Sequence, residues 1–371
     1  MRNLEILIIG GGIGGLTSAI ALRREGFKVT VIEKDPDWSV YGVGIIQQAN
    51  AVRAMDQLGL LQDYIAAGVG FNFVEIFAPD GTQVARIPAP TLVEGIPANL
   101  GIGRPALHKL LGDRAIASGT EVRLGVTAEN IEDDGDHCTV HFSNGDTESF
   151  DLVIGADGVY SQTRSMILPD AETPQFTGQA VWRYNFPRPE GLDALQVYNG
   201  PTGVGLVPIS RELMYMYATT PEPDNPHYPR EGLAETMRGK LGGCAPAIRK
   251  LGEQITDDNG VVYRPLEGML VEGPWHKGRV VLLGDAVHAT TPHLGQGAGM
   301  AIEDSIVLAE ELTKHDTIQA ALDAYRQRRF DRCAYIVRAS LAICFGQLGK
   351  GPLVDNHKAT QEMFDVTAQP I

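Results

Sequence analysis

The amino-acid sequence predicts an α/β protein: a parallel-sheet domain, an antiparallel β-sheet domain inserted into it, and C-terminal helices that close the chain. Three features of the 371 residues carry this reading. Short apolar runs at 4–9, 151–154 and 279–283 each end in glycine, which suits strands buried on both faces. Between them lie stretches that alternate apolar and polar residues, the period of a sheet with two different faces. Residues 299–314 and 317–348 carry the spacing of two long helices.

Taken in order, residues 4–9, a helix from 14 to 25 with Leu16, Ile20 and Leu22, and the strand 28–33 make a βαβ unit. A helix follows at 49–58. Residues 71–86 read as an antiparallel pair turning at Asp80-Gly81. A helix at 104–117 precedes short strands at 121–125, 138–142 and 148–150, the last two joined by Asn144-Gly145. From 178 to 263 the pattern is β again, with strands at 180–185, 194–198, 203–208 and 212–218 and one helix at 232–241. Residues 1–70, 100–177 and 262–348 are therefore expected to form the nucleotide-binding domain. Residues 71–99 and 178–261 are expected to form the substrate-binding sheet, and 349–371 a tail.

Hydrophobic residues make up 43% and charged residues 21%, the balance of a globular chain with a large core. The formal net charge of −15 disfavours nucleic acid and anionic lipid as partners. No apolar run is long enough for stable membrane insertion. The four cysteines form no CxxC pair, and the chain enters a strand directly, so a cytoplasmic location is expected. Monomer and homodimer both remain open.

Three motifs carry the chemistry. Gly10-Gly11-Gly12-Ile13-Gly14-Gly15 matches GxGxxG at Gly10, Gly12 and Gly15, after a strand and before a helix. Such a loop turns tightly, admits a pyrophosphate and offers it the free N–H groups of a helix N-terminus. Glu33, followed by Lys34, ends the next strand, where an acid takes adenosine ribose hydroxyls and disfavours a 2′-phosphate. Asp285 follows the buried run 279–283 and leads to Pro292, Gly295, Gly297, Ala298 and Gly299, where a helix is expected to begin. Asp157 sits in Gly155-Ala156-Asp157-Gly158, with Ser161 and Arg164 beyond it.

In this order GxGxxG, GADGVYSQTR and GDAVHATTPHLGQG resemble the class A flavoprotein monooxygenases, the para-hydroxybenzoate hydroxylase type. The resemblance covers residues 4–175 and 260–330. It implies a Rossmann-like FAD-binding domain of the glutathione reductase type, with FAD across the N-terminal βαβ unit and the 284–299 segment. It assigns Asp285 to the ribityl chain and Arg104 to the ribityl–phosphate region. It gives the Asp157 motif a part in the fold and in transient nucleotide docking, and it places the carbonyl of Pro292 toward a substrate hydroxyl. One departure is Met300, where the family often has asparagine. The implied cycle takes hydride from NADH or NADPH, adds O2 at flavin C4a and passes the distal oxygen to an electron-rich ring of a small aromatic substrate.

On the substrate side, a general base near the ring hydroxyl would aid hydroxylation, and Tyr215 and Tyr217 on the inserted sheet are the candidates. Tyr215 and Tyr217 alternate with Met214 and Met216, so both tyrosines face one side of a strand, toward a pocket or a core. Arg183 suits a substrate carboxylate or carbonyl and equally an exposed strand position. His293 follows Pro292 beside the expected flavin ring, while His288 reads as structural. No cluster has metal-ligand spacing. Two other classes remain: an FAD-dependent reductase that inserts no oxygen, and a non-catalytic flavin- or ligand-binding protein. The halogenase motif WxWxIP is absent.

Overall fold

The computed structural model describes residues 4–371. Its central six-stranded sheet has the order His276–Lys277, Val280–Leu282, Leu152–Gly155, Glu5–Ile9, Lys28–Glu33, Glu121–Leu124. All neighbours are parallel except the His276–Lys277 edge. Ile9 lies opposite both Ile32 and Gly155, and Gly155 opposite Leu282. The chain therefore leaves these strands along one carboxyl edge, the edge at which open α/β sheets bind ligands. The helices Ile13–Arg24 and Gly297–Lys314 pack together there, close enough for Thr17 and Ser18 to hydrogen-bond Ser305 at 2.8 and 2.9 Å.

A seven-stranded sheet forms the second layer. It runs Val262–Gly268, Gln175–Pro187, Leu213–Pro221, Gly203–Pro208, Leu195–Tyr198, Phe73–Phe77, Gln83–Pro88. One face carries Trp182, Phe186, Met214 and Met216 into a separate core with the helices Leu233–Lys240 and Pro246–Gly252. The other face looks toward the parallel sheet. Among the described residues, no helix is long and apolar enough to cross a membrane.

Four features differ from the sequence reading. Val262–Gly268 pairs with Gln175–Pro187, so this strand belongs to the antiparallel sheet rather than to the nucleotide-binding domain. Gly44–Gln47, Asn99–Gly103 and Gly68–Phe71 form a small antiparallel sheet whose strands are too short to show a period. The helix expected at Gly299 starts at Gly297. Residues 349–371 are not a tail: Asn356–Ala368 is a helix, capped by the Asp355 carboxylate on His357 and Lys358 N–H. Arg53, Arg328 and Arg332 donate to the carbonyls of residues 367–371 and pin this helix to the body.

A buried ionic network fixes the carboxyl edge. Arg329, Glu303, Asp304 and His288 are all fully buried. The Asp304 carboxylate accepts from Arg329 Nε at 2.7 Å, from Gly284 N at 3.1 Å and shares a 2.6 Å hydrogen bond with His288 Nε2. Arg329 Nη1 lies 2.7 Å from Glu303 Oε2, close as an ion pair without hydrogen-bond alignment. Burial drives Asp304 upward, but His288 and Arg329 outweigh it and hold the carboxyl below its ordinary range. Replacing Arg329 with Met removes a charged hydrogen bond and leaves Asp304 to His288 and Glu303 to Arg332, so the variant is expected to lose about 1.5–3 kcal/mol in urea unfolding. A loss under about 1 kcal/mol would show that the network does not hold this edge.

Candidate active site

Between the two sheets lies a cavity of about 1200 Å³. It starts at the glycine loop, passes Arg104, Asp285 and Pro292, crosses the inner face of the seven-stranded sheet and ends at the C-terminal helix.

The loop glycines divide into two kinds. Gly10 has φ +111°, and a Cβ there would strike the Ala156 carbonyl. A Cβ at Gly15 would overlap the Gly10 carbonyl, and one at Gly14 would come 2.8 Å from Leu283. Gly10 and Gly15 are required by backbone contacts, while Gly14 packs against a Leu283 methyl group. A Cβ at Gly12 would meet nothing within 4 Å and would project into the cavity that Gly12, Ile13 and Gly14 line. Protein packing leaves that space open.

Glu33 braces this loop. Its carboxylate accepts from Gly11 N at 2.8 Å and Asp35 N at 2.9 Å, while Lys34 lines the cavity. Trp38 Nε1 and His108 Nε2 each lie 2.9 Å from the Gly11 carbonyl, and a Cβ at Gly11 would come 2.5 Å from Trp38. Sequence reasoning missed both rings, because only folding brings them to the loop. The extra glycine at position 11 was the one visible hint.

The Asp157 carboxylate is engaged within its own motif, by Ser161 Oγ at 2.5 Å and by Thr163 N and Oγ1 at 3.0 Å. Arg164, whose N–H the Ser161 hydroxyl caps, reaches across to the Ala286 carbonyl at 2.9 Å. The Asp157 and Asp285 motifs are thus one welded unit. Asp285 itself opens onto the cavity from the first turn of Asp285–His288, and burial raises its pKa while His288 and Arg104 pull it back. Pro292, Gly295, Gly297 and Ala298 line the cavity beside it. Gly299 lies behind them against Gln296 and Asn50, and Met300 is fully buried.

These residues fit FAD. Arg104 is held at the cavity with a buried Nε that has no partner among the described residues. Asp285 presents free acceptors for hydroxyls. The helix Gly297–Lys314 opens without a side-chain cap, its first N–H groups turned to the cavity. Gly12 leaves the close approach that a pyrophosphate needs.

The substrate side is set by sheet register. Arg183 lies opposite Tyr217, Tyr217 opposite Gly205, Gly205 opposite Val197 and Val197 opposite Ile76, so these side chains share the inner face. Tyr215 belongs to the next row, its ring centroid 6.2 Å from that of Tyr217. Tyr215 rests on Gly44 and Tyr217 on Gly205; a Cβ at either glycine would overlap the ring above it. Burial raises the pKa of both phenols. Burial and the neighbouring Arg104 push Arg183 down to about 10, and no carboxylate pairs with it among the described residues. His293 is held at both ring nitrogens, by Thr291 Oγ1 at 2.9 Å and Gln347 Oε1 at 3.1 Å, and burial pushes it down to about 4. His288, Asp304 and Cys333 converge within 4.8 Å. Arg329 stands among them as the counter-charge, so this cluster belongs to the ionic network.

The model of the FAD binding domain family matches residues 3–340. The putative FAD-dependent monooxygenase YetM of Bacillus subtilis is 32% identical, over 91% of this chain and 92% of that protein. The 2-heptyl-3-hydroxy-4(1H)-quinolone synthase of Pseudomonas aeruginosa is 31% identical, over 94% and 90%. The structure of Klebsiella pneumoniae HpxO complexed with FAD and uric acid is 27% identical, superposes with a TM-score of 0.82, and the match covers 98% and 92%. Gly12→Ala is expected to fold with a melting temperature close to the parent while holding less FAD, read from flavin absorbance after desalting. Gly15→Ala is expected to lose the fold, and equal FAD content in Gly12→Ala and parent would remove Gly12 from the phosphate site. The chain belongs to the FAD binding domain family and is an FAD-dependent monooxygenase of the aromatic-hydroxylase type.

Proposed function

We propose that this enzyme hydroxylates a phenolic or N-heteroaromatic small molecule whose ionised or carbonyl oxygen sits against Arg183 and Tyr217, with NADH or NADPH as reductant. The observation that carries this reading is Arg183: a half-buried guanidinium in the cavity wall, with no carboxylate partner among the described residues. A desolvated cation of this kind favours an anionic partner and stabilises the ionised form of a ring hydroxyl, the more nucleophilic form.

When bound, FAD supplies hydride acceptance and oxygen activation. Asp285 would accept from ribityl hydroxyls, Arg104 would hold the ribityl–phosphate region, and the N–H groups of Gly297 and Ala298 would stabilise negative charge on the cofactor. Glu33 retains acceptor capacity for the adenosine ribose beyond its two backbone bonds. The carbonyl of Pro292 accepts from Gly295 N at 3.0 Å and keeps a second lone pair for a substrate hydroxyl. Tyr215 and Tyr217, with phenol pKa values raised, act as hydrogen-bond donors rather than bases. His293 is a positioning residue: with Gln347 Oε1 able only to accept, Nε2 carries the proton and fixes the Gln347 side chain. Asp157 shapes the rim at which a nicotinamide nucleotide docks.

The test is a panel of phenols and hydroxylated N-heteroaromatics. For a true substrate, NAD(P)H oxidation is stimulated, oxygen uptake matches it and the product is heavier by one oxygen. Substrate turnover that proceeds without oxygen would establish the reductase reading instead. With such a substrate, Arg183→Met is expected to lower kcat/KM roughly ten- to hundredfold, the loss of a charged hydrogen bond worth about 1.5–3 kcal/mol. An unchanged value removes Arg183 from recognition. His293 folds with its pKa depressed, so its neutral form contributes stability above the unfolded value near 6.5. That contribution is lost as pH falls toward 4. His293→Gln is therefore expected to flatten the acid limb of stability over that window and to leave the kcat/KM pH profile between 5 and 8 unshifted. Loss of a titration from that profile would restore His293 as a base.

A further inference from the structure

We infer that the substrate is amphipathic: an ionisable aromatic head at Arg183 carrying an aliphatic extension that lies along the Val197–Ile76 end of the sheet, under the C-terminal helix. The inference rests on the proposed hydroxylase reading and names its substrate class. Along one inner-face row the chemistry changes from Arg183 through Tyr217 to Gly205, Val197 and Ile76. The rows on either side end in the same way, at Leu195 and Val74 on one and at Gly203 on the other. Among the described residues, no charged side chain stands on these rows between Arg183 and Ile76; Arg264 lies at the opposite end, across from Val181.

The opposite wall is mostly apolar. The helix Asn356–Ala368 lines the cavity with Ala359, Met363 and Phe364, and also with Asn356 and Thr360, whose hydroxyl turns back to donate to the Asn356 carbonyl at 2.7 Å. Ile343 of the helix Ile318–Gln347 joins them.

Polar groups reach this end of the cavity, and several are engaged with one another. Asn356 donates to Asn199 at 2.6 Å, Gln347 accepts from Gln179 at 2.9 Å, and Thr219 donates to the Gly203 carbonyl at 3.3 Å. A ligand group entering here therefore finds van der Waals surface and few free donors or acceptors. The head end offers the reverse, an unpaired cation beside two phenols. A ring bearing only polar substituents would use the first half of this cavity and leave the second without partners. The wall is fixed rather than adaptable, because Arg53, Arg328 and Arg332 pin the helix that forms it.

The test uses the FAD-loaded enzyme and two homologous series, 4-alkylphenols and 2-alkyl-4-hydroxyquinolines, each from methyl to heptyl. Dissociation constants are read from perturbation of the flavin spectrum. In at least one series, affinity is expected to rise about two- to fourfold per methylene, up to the length that fills the chamber. Val197→Thr is expected to flatten that slope. Ala359→Phe is expected to shorten the chain length at which affinity peaks; both positions lie outside the catalytic machinery, and two variants guard against one misfolding. Affinity that is flat with chain length in both series, or a slope that both variants leave unchanged, overturns the inference. Ring hydroxylation with a flat slope sinks the tail chamber alone. A steep slope with no oxygen uptake from any ring compound supports the chamber and sinks the hydroxylase reading.

Discussion

The active-site edge of this enzyme depends on the Asp304 carboxylate. It is fully buried, lies between a guanidinium and an imidazole, and spends its remaining acceptor capacity on the N–H of Gly284. That last bond sets the turn from which Asp285 projects. The turn has φ +63° at Gly284, a conformation other residues avoid, so it needs an anchor as well as a glycine. Arg164 supplies a second anchor from the far side, through the Ala286 carbonyl. The cavity-facing acid is thus held by two buried arginines that never touch the cavity's contents. An ionic network of this sort contributes little net stability beyond an apolar core of equal volume, but breaking it is costly. Its value here is geometric.

Charge is partitioned with the same economy. The chain carries −15 overall, yet Arg104 and Arg183 stand in the cavity, close enough for Arg104 to lower the pKa of Arg183. A global acidic field would oppose an anionic cofactor and an anionic substrate at long range, though salt screens it within about 8–10 Å. Inside the cavity the low dielectric favours the local cations and the helix N-termini.

Much of this was legible in the sequence wherever function hangs on local spacing. The glycine loop, Asp157, Asp285 and the Pro292–Gly297 turn are set by residues within one short segment, so a motif captures them. The common face of Tyr215 and Tyr217 followed from the two-residue period of a strand. Trp38 and His108 were not legible: they reach Gly11 across 27 and 97 residues of chain. Nor was the true role of Gly299, which packs behind the loop rather than facing the cavity, because only the helix path decides which way a glycine looks. The C-terminal helix did show its signals, an Asp cap and apolar residues at helical spacing. Its stability, however, comes from three distant arginines rather than from its own length, and no local pattern shows those.

The pairing of Tyr217 with Gly205 has a consequence for how such an enzyme changes its substrate range. The ring lies against the bare backbone of the neighbouring strand, occupying the room that any side chain at 205 would need. The two positions therefore behave as a single locus. A mutation at the glycine alone ejects the tyrosine into the cavity, and one at the tyrosine alone opens a trough that the glycine cannot fill. A side chain at 205 therefore finds room only where Tyr217 is exchanged with it.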